Sequence, residues 1–133
     1  EEAALDRAIE AFAIRIPERD MPVGNLSGGN QQKLLLAKTL LSEPQVILID
    51  EPTRGIDIGT KQQIYGLISR LAAEGHAIIV ISSEMPELIG IVSRALVMHD
   101  GRVVGALEGD DVNEGSIVRL AMGLGETSKE AVA

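Results

Sequence analysis

Two stretches about twenty residues apart carry side chains whose types and order suit phosphate chemistry. In Leu26-Ser27-Gly28-Gly29-Asn30-Gln31-Gln32-Lys33, Ser27 is a good helix N-cap. Gly28 and Gly29 let backbone amides come close to an anion at the positive end of the helix that follows. In Val46-Ile47-Leu48-Ile49-Asp50-Glu51-Pro52, four consecutive apolar residues read as a strand covered on both faces, as in a parallel sheet. Two carboxylates then emerge at its C-terminal end, where open α/β sheets place their ligands. Taken singly, each stretch has a plainer reading: a Ser-capped helix after a glycine turn, and a solvated acidic pair at a strand end.

Together and in this order, the two resemble the signature and Walker B motifs of ABC-transporter ATPases. The wording LSGGNQQK and DEPTRGID is most similar to that of bacterial sugar-importer ATP-binding proteins, and Thr53-Arg54-Gly55-Ile56-Asp57 resembles the family's D-loop. The resemblance runs from roughly Met21 to Gly123. It implies an α/β fold: part of a P-loop NTPase domain, with a mostly parallel sheet flanked by helices and a C-terminal β-hairpin, lacking the Walker A strand. It divides the chain into the end of a helical subdomain and linker (1–20), the C-terminal portion of an ATPase domain (21–123) and a tail (124–133).

The roles implied follow residue by residue, with ATP and Mg²⁺ as cofactors. Asp50 would hold Mg²⁺ through its water shell, since Mg²⁺ keeps several waters and takes few protein carboxylates. Glu51, where the chain turns, would orient or deprotonate the water that attacks the γ-phosphate. Ser27, Gly28 and Gly29 would donate to a γ-phosphate, with Asn30 and Gln31 nearby, and in the family this motif closes the partner's site across a head-to-tail dimer. Asp57 would sit at the dimer seam, or would simply be an acid favoured by a helix N-terminus. Lys33 is expected to be a solvated helix residue, and Arg54 a surface or interface arginine. Ser83 stands where members that hydrolyse well usually carry a histidine; a serine is shorter and cannot become cationic. His76 and His99 fall elsewhere and are expected at the surface.

No G-x-x-x-x-G-K-[ST] occurs in the sequence, and the glutamine loop that precedes the signature in the family is missing too. The chain alone is therefore expected to bind ATP weakly and to be inactive. In the family the Walker A strand lies between the strands resembling 77–82 and 95–99, so its absence should leave a gap or an apolar edge and favour self-association. An intact signature with Ser83 resembles the second of two tandem ATPase halves. The implied partners are the first half or a dimer partner and permease subunits, at the cytoplasmic face of the inner membrane. Two other readings stay open: a noncatalytic interaction or regulatory module, and a soluble non-transport ABC ATPase.

Composition narrows the field. At 133 residues the chain can bury roughly two-thirds of its unfolded surface. Tyr65 and Phe12 are the sole aromatics, so the core must be aliphatic and offers no platform for stacking bases. A formal charge of −8 opposes attraction to a nucleic-acid backbone. Without cysteine there are no disulfides and no thiolate chemistry. No apolar run approaches the length of about 20 residues that spans a bilayer. A first residue of Glu1 leads us to expect a piece of a longer chain.

The elements that must position these residues can be read from pattern. A helix is expected over 1–16, ended by Pro17, and another from Ser27 to about Leu41. Ile64, Leu67, Ile68 and Leu71 recur at i, i+3, i+4 and i+7, predicting an amphipathic helix over 60–73 with Gly75 as its C′ residue. Strands are expected at 45–50 and 77–82, a short helix at 84–92, and a last helix at about 112–122. Asp100-Gly101 between apolar runs predicts a type I′ hairpin.

Overall fold

The computed structural model describes residues 2–124. They form two compact units, one ending at Ile81 and the other beginning at Ser82.

The first unit is built on a parallel pair, β1 (Val46–Asp50) and β2 (Ala77–Ile81), in register from Val46 opposite Ala77 to Asp50 opposite Ile81. Parallel neighbours need a crossover, and α3 (Ile58–Ala73) supplies it. With α2 (Gly28–Leu40) it covers one face of the sheet, and α1 (Glu2–Ala11) packs against α2. There Ile47, Leu67 and Leu71 are buried, and Phe12, Leu36, Leu40, Ile49 and Ile78 pack around them. On the other face Val46, Leu48, Ile79 and Ile81 are exposed, Leu48 at 67%. Among the described residues, then, β1 is covered on one face rather than two.

Helix ends follow local chemistry. At the end of α3, Gly75 takes φ 101° and its N–H reaches Ala72 O, while His76 N–H reaches Leu71 O, the paired closure expected of a glycine at C′. The first helix is shorter than its apolar pattern suggests. Ala13 takes φ 46° and Ile14 N–H closes back on Ile9 O at 3.0 Å. This turn sends Ile14 into a cluster with Ala8 and Ala37 instead of extending the helical stripe.

In the second unit, β3 (Arg94–His99) and β4 (Arg102–Glu108) form an antiparallel hairpin. Asp100 and Gly101 have φ 48° and 72°, the two positive values that a type I′ turn requires. A register shift falls between Val97 and Met98. Helices α4 (Met85–Ile91) and α5 (Glu114–Ala121) enclose Val97, Val112 and Ile117. A β-carbon at Gly105 would strike Leu120, so this glycine lets α5 lie close to the hairpin. Each sheet has two strands among the described residues, and no strand lies beside β2 on its far edge. Of the expected tail only Leu124 lies within the described residues.

Candidate functional site

The glycine turn and the start of α2 form as the capping pattern requires. Ser27 Oγ accepts from the Asn30 N–H at 3.4 Å and from Asn30 Nδ2 at 3.0 Å. Asn30 Oδ1 in turn accepts from the Arg15 N–H at 3.1 Å. Gln31 Nε2 donates to the Leu26 carbonyl at 2.8 Å and the Gly24 carbonyl at 3.4 Å. Both side-chain amides thus brace the turn from behind. Gly28 and Gly29 occupy the first helical positions, where amides have no intrahelical carbonyl to bond. Ser27 and Gly28 are exposed, and Gly29 is buried.

Gly29 is buried by Thr60, whose methyl occupies the space a β-carbon would need. Thr60 belongs to the first turn of α3, which Asp57 caps: Asp57 Oδ1 accepts from the Thr60 N–H at 3.0 Å and Oδ2 from Thr60 Oγ1 at 2.7 Å. Those bonds, the hydroxyl's foremost, hold the Asp57 carboxyl below the usual carboxylate range. Asp57 is thus the helix cap that one of its two readings expects, and Thr60 links it to the glycine turn.

Lys33 corrects an expectation. It is 5% exposed, not solvated, and its ammonium donates to the Ala13 carbonyl at 3.2 Å and to Gln63 Oε1 at 2.6 Å. Burial, then the charge of Arg15, lowers its pKa from the ordinary lysine value. The signal was available: Lys33 stands four residues from both Gly29 and Ala37, the other buried positions of α2. Thr60 was missed as well, although a Thr three residues after an Asp cap is well placed to donate both its N–H and its hydroxyl to that carboxylate.

The carboxylates lie at the C-terminal end of β1. Asp50 is exposed and borders a groove of about 120 Å³ with Pro52, Leu48, Thr39 and Gln32. Glu51 is half-buried; its N–H donates to the Ile81 carbonyl at 2.8 Å, one rung beyond the strand. Its φ of 46° then turns the chain sharply out of the sheet. A left-handed conformation costs a non-glycine residue about 1–2 kcal/mol, and such strain gathers at functional sites. Buried Thr53 anchors the turn from below, accepting from Tyr65 Oη at 3.3 Å. Ser83 lies in the second unit, exposed on the bend between β2 and α4. Its neighbour Ser82 accepts from the Glu84 N–H at 3.0 Å and bonds Glu87 at 3.5 Å. His76 is half-buried, with Nδ1 2.8 Å from the Pro44 carbonyl, and His99 pairs with Asp100 at 3.5 Å.

Among the described residues no three His, Cys, Asp or Glu side chains converge as a metal cage. A single exposed carboxylate is nevertheless the donor set that suits Mg²⁺, which completes its shell with water and phosphate oxygens.

Residues 1–54 match the ABC transporter family model. The ribose import ATP-binding protein RbsA of Yersinia pestis bv. Antiqua (strain Antiqua) is 45% identical over 130 residues, covering 98% of this chain and 26% of that protein. RbsA of Clostridium perfringens (strain SM101 / Type A) is 51% identical over 116 residues, 87% of this chain and 23% of that one. A nucleotide-free ATP-binding cassette from an ABC transporter superposes with TM-score 0.76 at 22% identity, covering 95% of this chain and 52% of that chain. The fold is that of the ABC-type ATP-binding cassettes. MJ1267 in its ADP conformation gives TM-score 0.74 at 22% identity, over 92% of this chain and 51% of that chain. The chain spans about a quarter of the length of the curated relatives it matches. None of its helices, among the described residues, is long and apolar enough to cross a membrane.

Proposed function

We propose that this chain forms part of the ATP-hydrolysing subunit of a sugar importer, serving two nucleotide sites at once. The exposed Ser27-Gly28 turn, braced by Asn30 and Gln31 and seated on Thr60 through Gly29, carries the reading. It offers a hydroxyl and amide N–H groups at a helix N-terminus to a γ-phosphate held by a partner half. Gln31 supports that turn, and Asp57 stands at the seam between the halves.

Toward its own site the chain contributes the β1 terminus. Glu51, aimed by the left-handed turn, orients the attacking water and accepts its proton. Asp50 holds Mg²⁺, which would neutralise charge between the β- and γ-phosphate oxygens. Ser83 offers a hydroxyl where the resemblance implies an imidazole, so the nucleotide it serves is the more slowly hydrolysed of the two. A phosphate-binding loop must come from outside these residues, and the chain by itself is inactive. In this account the subunit is peripheral to the inner membrane, and closure of its two halves on ATP moves permease helices. The imported solute is a sugar, ribose being the one that the relatives' names carry.

Glu51→Gln in the full-length protein tests this. Turnover should fall about tenfold or more while ATP still binds, because the amide keeps the shape and loses the base. Turnover that the substitution leaves unchanged would remove Glu51 from the chemistry, and a wild-type protein with no turnover would point to an interaction module.

A further inference from the structure

Thr60 faces two motifs with its two branches. Its methyl lies against Gly29, where an added β-carbon would come within 3.2 Å of Thr60 Cβ and closer still to the methyl. Its hydroxyl donates to Asp57 Oδ2 at 2.7 Å. A threonine on a helix divides between two χ1 rotamers, and the bond to Asp57 selects the one that presents the methyl to Gly29. Rotating the side chain to release either contact would disturb the other. One level further along the same two helices, Lys33 Nζ bonds Gln63 at 2.6 Å, so the helices are tied at successive turns.

We infer that Thr60 is a positioning residue that holds the Ser27-Gly28-Gly29 turn in register with Asp57, making the two motifs one rigid body. The inference rests on the proposed role of that turn at a partner's nucleotide. When the halves close, the turn and the seam acid then arrive together, and a shift felt at Asp57 is passed to the phosphate-facing amides without a loop between them. The contact leaves no room for a side chain at residue 29: the constraint there is the Thr60 methyl rather than a positive φ.

Substitutions in the full-length protein separate the branches. Thr60→Val keeps the methyl and loses the hydroxyl; it should lower kcat about tenfold or more, with ATP affinity within about twofold of wild type. Gly29→Ala should be similarly impaired, and adding Thr60→Ser, which removes the methyl, should restore much of its turnover. Thr60→Val at the wild-type rate, or a double variant no better than Gly29→Ala, would overturn the inference. If the unsubstituted protein proves to have no turnover, the function proposed above fails and the contact is read from unfolding instead. Gly29→Ala and Thr60→Ser should then be strongly non-additive in stability, and additivity would overturn the link.

Discussion

Lys33 Nζ lies 2.6 Å from Gln63 Oε1, tying the helix capped by Ser27 to the helix capped by Asp57. A second bond from the same ammonium, to the Ala13 carbonyl at 3.2 Å, brings in the end of α1. Lys33→Ala should therefore cost about 1–3 kcal/mol, through two lost hydrogen bonds and the buried stem, and Lys33→Met less, since it keeps the stem. Denaturant unfolding of the variants measures this.

The same lysine gives a pH dependence of known sign. Its folded pKa is depressed by burial and by Arg15, so between that value and the ordinary lysine value of about 10.4 the unfolded chain binds more protons. Stability contributed by this group rises with pH across that window. Lys33→Met should flatten the rise, as comparison of unfolding midpoints at neutral and alkaline pH would show.

Asp57 titrates in the opposite sense. Its folded pKa is lowered first by the Thr60 hydroxyl and next by the Thr60 amide, so its stabilising effect is present above the unfolded carboxylate pKa and is lost as pH falls through the folded value. Thr60→Val should raise the Asp57 pKa toward that of a free carboxylate, an effect visible in an NMR titration of the carboxyl carbon.

Glu51 separates stability from turnover. With φ at 46°, Glu51→Gly relieves about 1–2 kcal/mol of backbone strain and loses about 0.4–1 kcal/mol to the freer unfolded chain. With the loss of the half-buried side chain added, the variant should stay folded and within about 2 kcal/mol of wild type in thermal unfolding, and be inactive in ATP turnover.

The exposed face of the first unit predicts association. Leu48 at 67% exposure stands opposite Ile79 at 52%, and these apolar side chains adjoin strand edges that are open among the described residues. This 133-residue chain should self-associate on concentration, and Leu48→Lys should shift its light-scattering mass toward that of the monomer.

Much of this was legible in the sequence because it depends on local rules. The i, i+3, i+4, i+7 stripe of α3, the Asp100-Gly101 hairpin, the Ser27 cap and the Gly75 closure are each decided within a few residues, and each formed as read. What local pattern could not supply was the second partner of a contact. Lys33 looks solvated until Gln63, thirty residues on, is placed beside it. Gly29 reads as part of a phosphate-facing turn, and what its missing side chain admits is seen only with Thr60, thirty-one residues on, beside it. The first helix stops at Ala11 because Ile14 is recruited by Ala37 across the chain, a gain invisible to periodicity. The apolar run of β1 implied cover on both faces, but hydropathy does not say which residues provide it.

The most direct test of the signature turn's role is ATP turnover by the full-length protein carrying Gly28→Asp. A β-carbon at exposed residue 28 meets nothing within 4 Å, and an acid in the first turn of a helix suits the dipole, so fold and stability should be preserved. The account predicts turnover reduced by about a hundredfold, because a carboxylate would stand where a partner's γ-phosphate must approach. Wild-type turnover by a stably folded Gly28→Asp protein would contradict it.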